Sequence, residues 1–186
     1  MAISTTSLTL QEFFDLPERD RPLELIDGQA IAKMSPKSFH SAVQAALITL
    51  LQNFCQGKGR IYPEWAIKLK TQERDWVPVP DLTYISYDRL SADWMLDEAC
   101  PVAPELAIEI ISPGQSFGNL AEKATDYLQA GVSRVWLIDT QAKSITIFYP
   151  DAVPKTIKGT TAIVDDLFPE LKLTPQQAFQ QAGFFQ

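Results

Sequence analysis

Glu109 lies in Leu106-Ala107-Ile108-Glu109-Ile110-Ile111, an apolar run of strand length. Alternation puts Glu109 on one face with Ala107 and Ile111, and Ile108 and Ile110 on the other. A buried carboxylate without a partner costs several kcal/mol, so it needs a cation, a basic side chain or a proton. Two readings are open for it: a functional acid, or an acid at a strand end paired with Lys or Arg. Asp81 raises the same question in Val79-Pro80-Asp81-Leu82-Thr83-Tyr84-Ile85, where an acid follows proline at the entry to a second strand. Pro-Asp is also ordinary turn chemistry. Two carboxylates from neighbouring strands, however, make a natural site for a hard divalent cation.

Three further residues bear on that chemistry. Lys123 follows the Glu109 strand on a helical segment, and Asn119, Lys123 and Tyr127 recur every four residues, on one face. Its first turns could lean back over the carboxylates, or Lys123 could simply be solvated. Glu24, between Leu23 and Leu25, reads by alternation as an outward-facing charge. His40 is the only histidine and stands at the head of a helix, facing either the site or solvent. Phosphate-binding loops, dinucleotide fingerprints, zinc-protease helices, paired CxxC motifs and nucleophile elbows are all absent from the sequence.

The elements that must position these residues can be read in outline. Thr9 and Glu12 fit a capping box ahead of a short helix near Leu10. Leu23–Ile26 and Ala30–Ala32 flank Asp27-Gly28 as a hairpin. Val43, Ala46, Leu47, Leu50, Leu51 and Phe54 recur at helical spacing, predicting a helix over 38–54 closed by Gly57 and Gly59. Strands are expected over 61–69, 79–85, 106–111, 134–139 and 144–149. A helix is expected over 120–130 with Gly131 as its cap, and another opening at Pro175 after Thr174. Segment 88–103 is acidic and irregular, with room for a short helix. The strand–helix–strand unit over 105–139 should be a parallel crossover. The fold class is therefore α/β in the broad sense: a mixed α+β arrangement of a central mixed sheet flanked by helices.

Length and composition set the frame. The chain has 186 residues, 46% of them apolar and 21% charged, as expected for one globular domain spanning 1–186. Cys55 and Cys100 stand far apart without metal-type spacing, and read as reduced thiols. No basic-then-apolar leader opens the sequence and no apolar stretch nears the ~20 residues of a membrane span. A cytoplasmic location is expected. The net charge of −7 runs against general nucleic-acid affinity, which rests on basic surface. A local basic groove or a bridging metal would offset it. Trp65, Trp76, Trp94 and Trp136 read as core aromatics ahead of groove-lining ones.

Leu23-Glu24-Leu25-Ile26-Asp27-Gly28, Val79-Pro80-Asp81-Leu82, Ala107-Ile108-Glu109-Ile110-Ile111-Ser112-Pro113 and Lys123…Tyr127…Gly131-Val132…Trp136-Leu137-Ile138-Asp139 occur in that order. This ordered set resembles the Uma-two-like family of proposed restriction endonucleases, a domain of unknown function, over nearly the whole chain. The resemblance implies a restriction-endonuclease-like core of the PD-(D/E)xK type. It implies that Asp81 and Glu109 hold Mg²⁺ or Mn²⁺, that Glu24 is a third acid near the metal, and that Lys123 positions or activates the attacking water. His40 matches a histidine often found at the head of the family's long helix.

Two departures stand out. Ile111 occupies the position, two after the acid, where the standard pattern has lysine, so the resemblance moves that role to Lys123. Asn119 stands four before Lys123, where the family commonly has Asp. The expected activity is metal-dependent hydrolysis of nucleic acid, DNA first, by Asp81, Glu109 and Lys123, with His40, Asn119 and Tyr127 as accessory residues and a homodimer as the assembly. Two alternatives stay open: a catalytically decayed scaffold that acts as a binding protein, and an interaction domain in which Glu109 is merely paired with Lys123.

Overall fold

The computed structural model describes residues 7–17, 20–71 and 74–184. The chain runs through α1 (Leu10–Phe14), β1 (Leu23–Ile26), β2 (Gln29–Ala32), α2 (Ser38–Cys55), β3 (Gly59–Pro63), β4 (Leu69–Thr71) and β5 (Arg74–Trp76). It continues with β6 (Leu82–Ser86), β7 (Leu106–Ile110), α3 (Phe117–Gln129), β8 (Arg134–Asp139), β9 (Ser144–Phe148), β10 (Lys155–Lys158) and α4 (Pro175–Gln181). Six strands form a central mixed sheet in the order β10-β9-β8-β7-β6-β3. Its single parallel pair, β7 with β8, is the expected crossover through α3; the other pairs are antiparallel.

Both faces of this sheet are covered, which is why β7 and β8 are apolar almost throughout. On one face Ile108, Ile110, Trp136 and Ile138 pack with Val43, Leu47 and Leu51 of α2 and Phe179 of α4. On the other, Ala107, Val135 and Leu137 pack with Leu120, Ala124 and Tyr127 of α3. Glu109 belongs by alternation to the α3 face. Both cysteines are buried and free, and none of the helices is long and apolar enough to cross a membrane among the described residues.

The β1–β2 hairpin stands apart from the large sheet. Asp27 (φ 48°) and Gly28 (φ 75°) take the paired left-handed conformation that a two-residue hairpin turn demands. Leu25 exchanges two backbone hydrogen bonds with Val77, which docks the hairpin beside the entry to β6.

Several expected elements have different bounds. The strand expected over 61–69 is broken after Pro63, because Glu64 adopts φ 50° and turns the chain away. Leu69–Thr71 then pairs with β5 in a small sheet of its own. The strand expected from Val79 begins at Leu82, after Val79, Pro80 and Asp81 lead into it. Segment 88–103 contains turns and no helix. Helix α3 starts at Phe117, three residues earlier than expected, because the Ser116 hydroxyl caps the Asn119 N–H. The short strands β5 and β10 had no counterpart in the sequence pattern.

Candidate active site

The antiparallel register of β6 and β7 pairs Leu82 with Ile108, so the next step brings Asp81 alongside Glu109. Asp81 is locked in place from several directions. Its Oδ2 accepts the Ile110 backbone N–H at 2.6 Å and lies 2.9 Å from His40 Nε2. His40 sits in the first turn of α2, buried, and Gln44 one turn later donates to the Asp81 carbonyl oxygen at 2.9 Å. Lys33, just past β2, places its ammonium 2.6 Å from Asp81 Oδ1 and 2.7 Å from Glu64. Glu64 also accepts from Gln44.

Glu109 is held from the other side of the cluster. Its Oε1 accepts from the Tyr127 hydroxyl at 2.8 Å and lies 2.9 Å from Lys123 Nζ. Lys123 bridges to Glu24 Oε1 at 2.8 Å, and that same oxygen takes the Val79 N–H at 2.8 Å. The Trp76 ring lies 4.7 Å from Tyr127 and closes this side. Glu24 is therefore not the outward-facing charge that alternation predicted. Docking of the hairpin against Val77 turns that face inward, and the Val79 N–H and Lys123 satisfy the carboxylate. Lys123 is likewise not a solvated lysine.

The model of the family described as "Uma2: Putative restriction endonuclease" matches residues 10–176. The chain belongs to the Uma2 family. Among solved structures, it is similar to the crystal structure of a putative nuclease belonging to DUF820 from Anabaena variabilis. That match has a TM-score of 0.83 at 25% identity, covering 94% of this chain and 99% of the other. No curated protein matches the sequence.

In this Uma2 chain, Glu109, Asp81, Lys123, Glu24, His40 and Tyr127 converge, whereas Asn119 does not join them. Asn119 is exposed on the first turn of α3, where its backbone N–H donates to Ser116. Three members of the cluster, Lys33, Gln44 and Glu64, were not singled out from the sequence. Gln44 was within reach, since it falls one turn after His40 on the same face of α2. Lys33 is brought in by hairpin docking, and Glu64 by a left-handed backbone uncommon for a non-glycine residue. Neither leaves a periodic trace.

The electrostatics of the Uma2 site are asymmetric. Burial pushes the Asp81 carboxyl up, but the His40 hydrogen bond and the Lys33 charge outweigh it and hold Asp81 below its ordinary range. Burial dominates at Glu109 and pushes it up; Lys123 opposes that push and the Asp81 charge adds to it. Burial would lower Lys123, yet Glu109 and Glu24 raise it overall, so it stays an ammonium ion. Tyr127 is raised well above its usual value, first by burial and then by Glu109, and remains a hydrogen-bond donor.

The linked side chains bring four carboxylates against two ammonium groups. Carboxylate oxygens are the donors a hard divalent cation takes, so the residues present fit such an ion in chemistry. No three His, Cys, Asp or Glu side chains form a ready-made metal cluster among the described residues. Glu24, Asp81 and Glu109 each have protein partners: Lys123 and the Val79 N–H for Glu24, Lys33, His40 and the Ile110 N–H for Asp81, Lys123 and Tyr127 for Glu109.

Proposed function

We propose that this chain is a metal-dependent nuclease that hydrolyses phosphodiester bonds, with DNA as its substrate. The observation that carries this reading is the pair of buried carboxylates, Asp81 at the entry to β6 and Glu109 in β7, with the half-buried Lys123 of α3 against Glu109. Membership of Uma2 supports nucleic acid as the substrate class. Mg²⁺ or Mn²⁺ held by Asp81 and Glu109 would supply Lewis acidity toward a phosphate oxygen and toward the attacking water. The protein's own groups do the rest. His40 and the Ile110 N–H fix the rotamer of Asp81, and Tyr127 fixes that of Glu109. The Lys123 ammonium, anchored by Glu24, orients water beside Glu109 and offsets negative charge that develops on the phosphate. A homodimer is the assembly we propose for presenting two such sites to a duplex.

Calorimetric titration of Mn²⁺ and Mg²⁺ into wild type and the Asp81→Ala, Glu109→Ala double variant tests the site, and incubation with DNA and RNA tests the activity. Saturable binding and cleavage that both disappear in the folded double variant are expected. Cleavage at the wild-type rate in that variant overturns the assignment.

One observation favours a second reading. Lys33 lies directly on Asp81 Oδ1, and both Oδ atoms have protein partners. If that ion pair excludes the metal, the chain is a decayed nuclease scaffold, and wild type will take up neither ion and cut neither polymer.

A further inference from the structure

The two lysines of the cluster are held alike, each bridging two carboxylates, but they differ in where they could go. Lys123 lies between Glu24 and Glu109, both buried. Lys33 lies between Asp81, whose side chain is 3% exposed, and Glu64, whose side chain is 32% exposed. Lys33 therefore links the buried acid to the solvent side of the cluster. Its backbone is anchored, because its N–H donates to the Pro22 carbonyl oxygen at 2.9 Å. Its ammonium, in contrast, ends a flexible four-carbon stem.

The two oxygens of Asp81 have different kinds of partner. Oδ2 accepts the Ile110 N–H of β7 and lies against the buried His40 ring of α2. Neither group can leave without moving a packed strand or helix. Among the described residues, Oδ1 has the Lys33 ammonium as its partner, at 2.6 Å. That contact can break by rotation of one side chain. Glu64 gives the ammonium a place to stay, since its Oε2 lies 2.7 Å away. Glu64 is itself pinned: its Oε1 accepts from Gln44 Nε2 at 3.0 Å, and the same Nε2 donates to the Asp81 carbonyl oxygen. Lys123 has no comparable refuge, because neither of its acceptors opens toward water.

We infer that Lys33 is an exchangeable counter-ion of Asp81. It holds Oδ1 while no cation is bound, yields that oxygen to a divalent ion, and stays on Glu64, which Gln44 keeps in position. The inference rests on the proposal that Asp81 takes a metal ion. It goes beyond that proposal by naming the residue that yields and the residue that receives it. On this account the close Lys33–Asp81 contact is the resting state of a working site.

The test is calorimetric titration of Mn²⁺ into the full chain as wild type, Lys33→Met, Glu64→Gln and the double variant of the two, with thermal unfolding as the check on folding. A hydrogen bond between charged groups opposes uptake by wild type. Lys33→Met removes that opposition and should bind Mn²⁺ about tenfold more tightly. Glu64→Gln leaves the displaced ammonium without an acceptor and should bind more weakly than wild type. In the Lys33→Met background the same Glu64 change should have little effect, because no ammonium needs to be received. Residues that only braced the fold would weaken binding in every variant. Equal or weaker binding by folded Lys33→Met overturns the exchange. An equal loss from Glu64→Gln in both backgrounds overturns the role of Glu64 and means that it acts on the ion directly. Uptake by Lys33→Met with none by wild type reveals an ion pair that blocks the site without exchanging, and this too overturns the inference. Uptake by neither removes the exchange and the metal-dependent reading together. Cleavage of DNA and RNA is assayed separately. Tighter uptake by Lys33→Met with no cleavage by wild type removes the nuclease reading and leaves the exchange, whereas cleavage by wild type with unchanged uptake in Lys33→Met removes the exchange alone.

Discussion

Lys123 and Lys33 both sit on buried carboxylates, yet their removal should have unequal consequences. Among the described residues, taking away Lys123 leaves Glu109 hydrogen-bonded to Tyr127, and Glu24 to the Val79 N–H. Stranding buried charge in this way typically costs about 3–5 kcal/mol. Taking away Lys33 leaves Asp81 with His40, the Ile110 N–H and an ionised state that those contacts still favour. Urea denaturation should therefore place Lys123→Met well below Lys33→Met in stability. The reverse order would mean that Glu109 and Glu24 escape to water when their lysine is lost. At this scale Glu109 and Asp81 were legible because a carboxylate beside or within an apolar run contradicts its surroundings. Lys33 and Glu64 were not: a lysine after a short exposed strand contradicts nothing until the hairpin docks.

The elements were legible in proportion to how much of their surface is buried. Helix α2 and strands β7, β8 and β9 carry long apolar patterns, and the expected segments lie within a few residues of the observed ones. β10, with sequence Lys155-Thr156-Ile157-Lys158, buries only Ile157 and pairs on one edge, so its pattern is too short to read. The break after Pro63 was hidden for a related reason: Ile61 to Leu69 alternates well enough to suggest one strand, and only the left-handed Glu64 divides it. Gly59 shows how close the joint between α2 and the sheet is. A Cβ there would lie 2.4 Å from the Ile85 carbonyl oxygen and 2.8 Å from the Tyr84 ring. Gly59→Ala must push β3 off β6 at the point where their pairing begins. It should lower stability by more than ~1 kcal/mol, in the manner of overpacked cores. An unchanged urea midpoint would show that β3 can shift without cost.

For the molecule as a whole, the sheet supplies the precision of the site and the acidic charge sets the conditions under which it can work. A chain of net charge −7 repels polynucleotides at long range, so the proposed nuclease activity requires local attraction, from the divalent ion it would hold. If Asp81 and Glu109 take up the ion only in the folded state, binding must also stabilise the fold. Metal at about 100 times its Kd should add roughly 2.7 kcal/mol. Differential scanning calorimetry in Mn²⁺ should raise the unfolding temperature of wild type and leave the Asp81→Ala, Glu109→Ala double variant unmoved. An equal rise in both would place the metal elsewhere.

The β1–β2 hairpin carries one more consequence. It delivers Glu24 to Lys123 and Lys33 to Asp81, one anion and one cation, through a unit anchored to its neighbours by the Leu25–Val77 exchange and a small apolar cluster around Phe13. Local opening of this hairpin therefore removes equal and opposite charges and leaves the formal charge of the remaining cluster unchanged. What it alters is access: Asp81 gains a free oxygen, and Lys123 is released from Glu24 while keeping Glu109. The same few residues seal the cluster, and losing them would expose it without changing its formal charge.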